Sequence, residues 1–264
     1  DVNKTQSAVS MQMKRLEELL GRPLFSRDGR NIRFTADGDR LIEYARRMAT
    51  INDEAVSAFT RPELTGTVRF GTPDDYADRF LPEIVARFSR THPLVMVDVE
   101  CMNSSQLFER TKRGQMDLAL VTLGCDMTGG EPVRREPLVW VTSSKHNVHM
   151  LDVVPLASPD CEWRKAALSA LDNHKRKYRI AYSSSNSNAI NAVVQTGLAV
   201  GAVPELCVRP NMRVLTERDG FPPIGTFEIG LVRKPGKASS AVEALARHVT
   251  ESLSNLPSGL MAAE

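Results

Sequence analysis

Cysteine is scarce in this chain and scattered. Cys101, Cys125, Cys161 and Cys207 are the four present among 264 residues; they lie far apart and match no metal-ligand spacing. No apolar run approaches the ~20 residues of a membrane-spanning helix, so no membrane partner is expected. No secretory signal is seen at the start of the sequence, and a reducing, cytoplasmic setting is the default expectation. Neither sign of charge dominates: 34 Lys and Arg face 32 Asp and Glu, for a net +2. The bulk charge therefore gives no hint of nucleic acid. With 42% hydrophobic and 25% charged residues, 16 Gly and 15 Pro, the composition excludes wholesale disorder, collagen and a coiled-coil rod. The length suits one large domain or two modest ones.

Catalytic constellations are also missing. Ser183-Ser184-Ser185 lacks the glycine frame of a nucleophile elbow. His146 and His149 stand three apart in a polar stretch without acidic or cysteine partners, which suits a solvated loop better than a metal site. No helix pattern follows Gly197-Leu198-Ala199-Val200-Gly201, so a dinucleotide fingerprint fails and Gly197 reads as a helix stop. The expectation is a protein that is not an enzyme and carries no metal and no cofactor.

What is present begins with a basic head. Residues 1–34 hold seven Lys and Arg against four acids, giving a local +3, the kind of patch that meets phosphates. Thr5 to Gly21 reads as one helix with Thr5 as N-cap and Gly21 as stop. Val9, Met13, Leu16 and Leu20 recur at three- and four-residue spacing and make an apolar face. Thr5, Gln6, Ser7, Ser10 and Gln12 crowd its early turns with hydrogen-bonding groups, and Lys14 and Arg15 follow. That pattern suits a recognition helix whose first turns meet base edges and phosphates. Leu24-Phe25 and Ile32-Arg33-Phe34 read as short strands around the hairpin signal Asp28-Gly29. Arg27, Arg30 and Arg33 would make that hairpin a basic wing.

These residues resemble a known family. Gln6-Ser7-Ala8-Val9-Ser10, Lys14-Arg15-Leu16-Glu17 and Gly21-Arg22-Pro23-Leu24-Phe25 are similar to the winged helix-turn-helix of LysR-type transcriptional regulators. Ser10-Met11-Gln12-Met13-Lys14 resembles the LrhA/HexA/PecT-like and LsrB-like subgroups. Most of the wider family carries arginine where this chain has Met11, which removes one expected DNA contact. The family's motif begins before Asp1, so the resemblance implies that the head's first two helices are missing here.

A second helix pattern runs from Thr35, its cap, to Phe59, with acids at its positive end. Leu41, Tyr44, Met48, Ile51, Ala55 and Ala58 alternate three- and four-residue steps, as in a coiled-coil seam. About 24 helical residues span roughly 36 Å. An amphipathic helix packed on its own domain gives the same pattern. The resemblance implies a linker helix, residues 35–62, pairing with its twin in a dimer or tetramer through Leu41, Tyr44, Met48, Ile51 and Ala55. Arg61-Pro62 ends it.

From Gly66 onward, short strands alternate with helices, the sign of an α/β domain. Strands are expected at 67–72, 95–101, 118–122, 138–142, 178–183, 199–203, 213–216 and 227–233. Helices are expected at 80–92, 104–114, 187–196 and 238–256, and one more from a Ser158-Pro159-Asp160 cap to about His174. Two lobes in series, with the chain returning to the first, predict a cleft at the C-terminal strand ends. Thr72, Asp74, Asp75, Asn103, Ser104, Ser105, Thr122, Ser183, Ser184 and Ser185 stand at those corners. Each serine and asparagine there also suits a helix cap, and capping does not exclude ligand contact. The acids favour a cationic or hydroxylated ligand, and the serine-lined helix starts favour a carboxylate.

Residues 66–264 resemble the effector-binding domain of the same family, similar in fold to type 2 periplasmic binding proteins. The resemblance is carried by Gly71-Thr72-Pro73-Asp74-Asp75-Tyr76, Arg113-Gly114-Gln115-Met116-Asp117 and Glu162-Trp163-Arg164-Lys165. It implies an α+β multi-domain chain. A winged head (1–34) and the linker helix precede lobe I (66–142 and 224–264) and lobe II (143–223). It also implies a sequence-specific regulator of double-stranded DNA, with RNA polymerase as a further candidate partner. A small, unnamed effector would alter its oligomer geometry. Two alternatives stay open. A thiol switch could use Cys161, set in a first helical turn where the dipole lowers a thiol pKa, with Cys101 or Cys125. A stand-alone ligand-binding protein is the other.

Overall fold

The computed structural model describes residues 5–28, 31–60, 64–124, 127–159 and 162–254. The chain divides into two units, Asp1–Pro62 and Glu63–Glu264.

In the first unit, α1 (Gln6–Leu20) starts where Thr5 Oγ1 accepts the Ala8 amide at 3.4 Å and stops at left-handed Gly21, φ 63°. β1 (Phe25–Asp28) and β2 (Asn31–Phe34) form an antiparallel hairpin, with Phe25 opposite Phe34 and their rings 5.2 Å apart. Pairing reaches closer to the turn than the apolar residues alone suggest, because ladder bonds do not need apolar side chains. Glu17 Oε1 accepts the amides of Leu24 and Phe25 at 2.7 and 3.2 Å, tying α1 to the wing. α2 (Ala36–Thr60) is capped by Thr35. The Thr35 hydroxyl accepts the Gly38 amide at 3.0 Å and donates to the Pro23 carbonyl at 2.6 Å. A side chain at Gly38 would put its Cβ 2.2 Å from the Leu24 carbonyl oxygen, so only glycine lets α2 pass the buried Leu24.

The second unit is a mixed sheet clad with helices. Its strands are β3 (Gly66–Thr72), β4 (Val95–Cys101), β5 (Leu118–Leu123), β6 (Glu131–Ser143), β7 (Val154–Pro159), β8 (Tyr178–Ser184), β9 (Val200–Pro204), β10 (Met212–Leu215) and β11 (Gly225–Arg233). The order is β4-β3-β5-β11-β6-β9-β7-β8, with β10 also paired to β6. β4, β3 and β5 run parallel to one another, as do β8, β7 and β9. The antiparallel pair β6 and β11 joins these clusters: the chain leaves the first on one and returns on the other. The helices are α3 (Asp74–Thr91), α4 (Ser104–Lys112), α5 (Glu162–Asn173), α6 (Ser187–Gln195) and α7 (Ser240–Ser254). Val68, Phe70, Tyr76, Phe80, Trp140, Trp163 and Leu231 belong to the main buried cluster. The inner parallel strands β5, β7 and β9 are buried on both faces, whereas the edge strands β4 and β8 keep polar, partly exposed residues.

Two expectations need correction. Helix α3 begins at Asp74, not Phe80, and carries Pro82 inside. The paired acids supply the helix start, and a proline lacking one amide is tolerated within eighteen residues of packed helix. Ser158 and Pro159 do not cap α5; they extend β7 and pair with Ser183 and Ser184 of β8.

Candidate functional site

The head presents a polar helix face. Thr5, Gln6, Ser7, Ser10, Gln12, Lys14 and Arg15 are all exposed. At about 100° per residue they do not share one stripe. Ser7 and Lys14 fall on the side opposite Val9, Met13, Leu16 and Leu20, with Arg15 beside them, whereas Gln6, Ser10 and Gln12 flank the apolar stripe. Met11, 71% exposed, sits in the middle of that outer side. An apolar group there suits a thymine methyl rather than a phosphate, a signal that counting polar residues misses. Arg33 is exposed on β2. Arg27 is described by its backbone alone, and Arg30 lies outside the described residues.

Along α2, Leu41, Tyr44, Met48, Ile51 and Ala55 fall on one stripe. Tyr44, Met48 and Ile51 are 50%, 70% and 63% exposed. The chain by itself leaves that seam open to water.

The second unit holds a cavity of about 260 Å³ between the C-terminal strand ends. Asp74 and Asp75 enter it from the start of α3, Asn103, Ser104 and Ser105 from the start of α4, and Thr122 from the end of β5. Pro159, Trp163, Lys165, Ser185 and Ser187 close it from the other strand cluster. Three expected residues do not line it. Thr72 is buried beneath the α3 start, its hydroxyl on the Pro73 carbonyl. Ser183 and Ser184 belong to β8, and Ser184 Oγ accepts the Asn186 amide at 3.0 Å.

Polar contacts knit the cavity rim. Asp74 Oδ2 accepts the amides of Ser187 and Asn188 at 2.7 and 3.3 Å, so an α3 carboxylate caps α6 in the opposite cluster. Arg209 pairs with Asp78 at 2.7 Å and bonds Asn188, while Arg79 donates to the Leu206 carbonyl at 3.2 Å. Asn103 caps α4 by accepting the Gln106 amide at 2.9 Å. Thr122 ties two corners together: its amide donates to Ser104 Oγ at 2.9 Å and its hydroxyl lies 2.7 Å from Tyr76 Oη. Asp75 is 4% exposed, and neither carboxylate oxygen has a hydrogen-bond partner among the described residues. Burial, and then the Asp74 charge, push its pKa up to about 7; the amides at the α3 start and Arg209 pull weakly the other way.

The thiols differ in setting. Cys101 is exposed at the end of β4, and partial burial with the Asp74 charge pushes it up, away from ready thiolate formation. Cys207 is buried against the Asp75 carbonyl and is pushed up further by desolvation. Cys125 and Cys161 lie outside the described residues. Among the described residues no His, Cys, Asp or Glu group could hold a metal, and no helix is long and apolar enough to cross a membrane.

Residues 61–254 match the LysR substrate binding domain, and residues 1–39 match the bacterial regulatory helix-turn-helix protein of the lysR family. The chain belongs to the LysR family. It is 36% identical to the HTH-type transcriptional regulator DgdR of Burkholderia cepacia, over 94% of this chain and 85% of that protein. It is 32% identical to PecT of Dickeya dadantii (strain 3937), over 92% and 78%. Among solved structures, CrgA, a LysR-type regulator from Neisseria meningitidis, superposes with a TM-score of 0.62 at 16% identity, covering 95% of this chain and 90% of that one. This is therefore a DNA-binding LysR-type transcriptional regulator with an effector-binding domain, from a non-enzymatic family whose members bind DNA and oligomerise.

Proposed function

We propose that this LysR-type regulator reads a specific DNA sequence with α1 and the wing, dimerises along α2, and is gated by a small effector in the cavity of its second unit. The observation that carries the gating is the Asp74 cap on α6. The same carboxylate lines the cavity and joins the two strand clusters. A ligand that takes over any of its hydrogen bonds has different affinity for different lobe arrangements, and only such a difference can shift an equilibrium. The Arg209–Asp78 pair lies beside it and also holds Asn188 of α6.

The open stripe of Leu41, Tyr44, Met48, Ile51 and Ala55 supports self-association through α2, as a dimer or a dimer of dimers. A lobe shift carried to that assembly changes the spacing of its heads on DNA, and hence contact with RNA polymerase. Cytoplasmic placement goes with this role. Titrating candidate effectors while measuring lobe spacing by small-angle scattering, and DNA affinity in parallel, tests the coupling. A ligand that binds the cavity and changes neither measurement would refute gating. The thiol-switch alternative finds no support at Cys101 or Cys207, whose pKa values move away from reactivity.

A further inference from the structure

We infer that the cavity takes a small zwitterion of the α-amino-acid class, its ammonium on Asp75 and its carboxylate on the first turn of α4. The inference rests on the reading of this cavity as the effector site and names what it binds.

The cationic end follows from Asp75. A carboxylate buried without a donor is costly, and natural interiors satisfy such groups. Neither of its oxygens has a well-formed hydrogen bond, the amides of Tyr76 and Asp75 being its nearest donors, and Asn191 Oδ1, which shares with Asp75 a void of about 10 Å³, has none either. That void has room for about one water molecule. One water brings two hydrogens to three unpartnered oxygens, so it cannot satisfy the carboxylate and Asn191 together. The ammonium group brings three donors and a charge that offsets the buried anion.

The anionic end follows from α4. Asn103 already serves the Gln106 amide with its side chain and the Leu107 amide with its carbonyl. The amides of Ser104 and Ser105, the first two of the helix, are left as orphan donors at the positive end of the dipole. The Ser104 hydroxyl accepts from Thr122, so its own hydrogen is free to donate. Lys165 adds positive charge to the same cavity.

Thr122 sets these ends side by side, because its amide holds Ser104 while its hydroxyl holds Tyr76, the neighbour of Asp75. The cavity volume of about 260 Å³ falls just under the ~300–1,000 Å³ of drug-sized sites, so the ligand is small. Trp163 and Pro159 offer an apolar wall for its side chain. A dicarboxylate would set a second anion against Asp75. A simple amine would leave the α4 amides unserved.

The test is calorimetric titration of the full chain with each standard L-amino acid. Every binder is then compared with its deamino acid and its decarboxylated amine; for valine these are isovalerate and isobutylamine. Binding at least about tenfold tighter than by either analogue is expected. Asp75→Asn should erase the advantage over the deamino acid. Ser105→Pro, which removes one first-turn amide at a position where helices tolerate proline, should erase the advantage over the amine. Equal binding by the deamino acid, an unchanged preference in Asp75→Asn, or no binding by any amino acid at millimolar concentration would each overturn the assignment. Ser105→Trp, which fills the cavity, separates the two layers. An amino acid that binds it as well as wild type means that the cavity is not the site. A sugar or monocarboxylate that binds wild type alone means that the cavity stands and the zwitterion does not.

Discussion

Asp75 is the residue at which burial and charge conflict most sharply. Its folded-state pKa of about 7 compares with 3.8 for the free side chain. Between those values the folded chain holds a proton that the unfolded chain has released. Stability therefore falls as pH rises from about 4 to about 7 and is flat above, by an amount on the order of 4 kcal/mol. The groups facing it are Asp74 on its own helix, Arg209, the Cys207 thiol and Lys165 across the cavity. Urea unfolding at pH 5 and pH 8 should show Asp75→Asn losing that slope and exceeding wild type at pH 8. Asp117, in the bend just before β5, behaves in the opposite way. Burial alone would raise its pKa, but Arg69 and Lys234, at 3.1 and 2.6 Å, hold it well below the usual carboxylate range. That stabilisation is present above the ordinary carboxylate pKa and is lost as pH falls. Arg69 and Lys234 are 40% and 30% exposed, so solvent screens the pairs. Asp117→Ala should cost about 2 kcal/mol at pH 7 by chemical denaturation, and progressively less in acid. Neither behaviour is visible in the sequence. Asp74-Asp75 reads as a polar cleft corner after the first strand, and nothing local to Asp117 names its partners, because burial and ion pairs 48 and 117 residues away come from the sheet order.

Among elements, the head is the most legible, because its signals are local. Thr5 and Gly21 bracket one helix, Asp28-Gly29 bends one hairpin, and Thr35 starts the next helix. The tie from Glu17 to the amides of Leu24 and Phe25 is not legible, since nothing in a glutamate's own neighbourhood shows which distant amide it serves. The same limit explains Ser183 and Ser184: a serine run reads as a loop, but parallel pairing with Ser158 and Pro159 carries β8 through it. The cavity corners contributed by α4 and β5 could be read because each is the end of one strand or the start of one helix. Gly38→Ala follows from close approach. With a Cβ placed 2.2 Å from the Leu24 carbonyl oxygen, α2 and the wing must separate. A loss of 2 kcal/mol or more in the first unit is expected, on the scale of overpacked cores. Hydrogen exchange should show the loss in residues 6–60, with 66–254 protected as in wild type. In α2, Met48→Asp with Ile51→Asp should convert the assembly to smaller species in analytical ultracentrifugation without unfolding it, because both side chains are exposed in the single chain.

At the scale of the whole molecule, a net charge of +2 hides a +3 head, and DNA affinity should follow the head rather than the total. Met11→Arg adds one cation to the outer side of α1. It should raise affinity for all sequences and steepen the salt dependence by about one unit of log K per log salt, while blunting base preference. The comparison uses fluorescence anisotropy on selected and scrambled duplexes. The central claim is that one chain couples a sequence-reading head to a ligand-filled cavity. The most direct measurement of it is the affinity of the full chain for a duplex selected from random sequence, against a scrambled duplex, across a salt series, with and without a cavity ligand. The account predicts a linear fall of log K with log salt, a clear preference for the selected duplex, and a change in that preference when ligand is added to wild type but not to Ser105→Trp. A flat salt response, equal affinity for both duplexes, or a ligand effect unchanged in Ser105→Trp would contradict it.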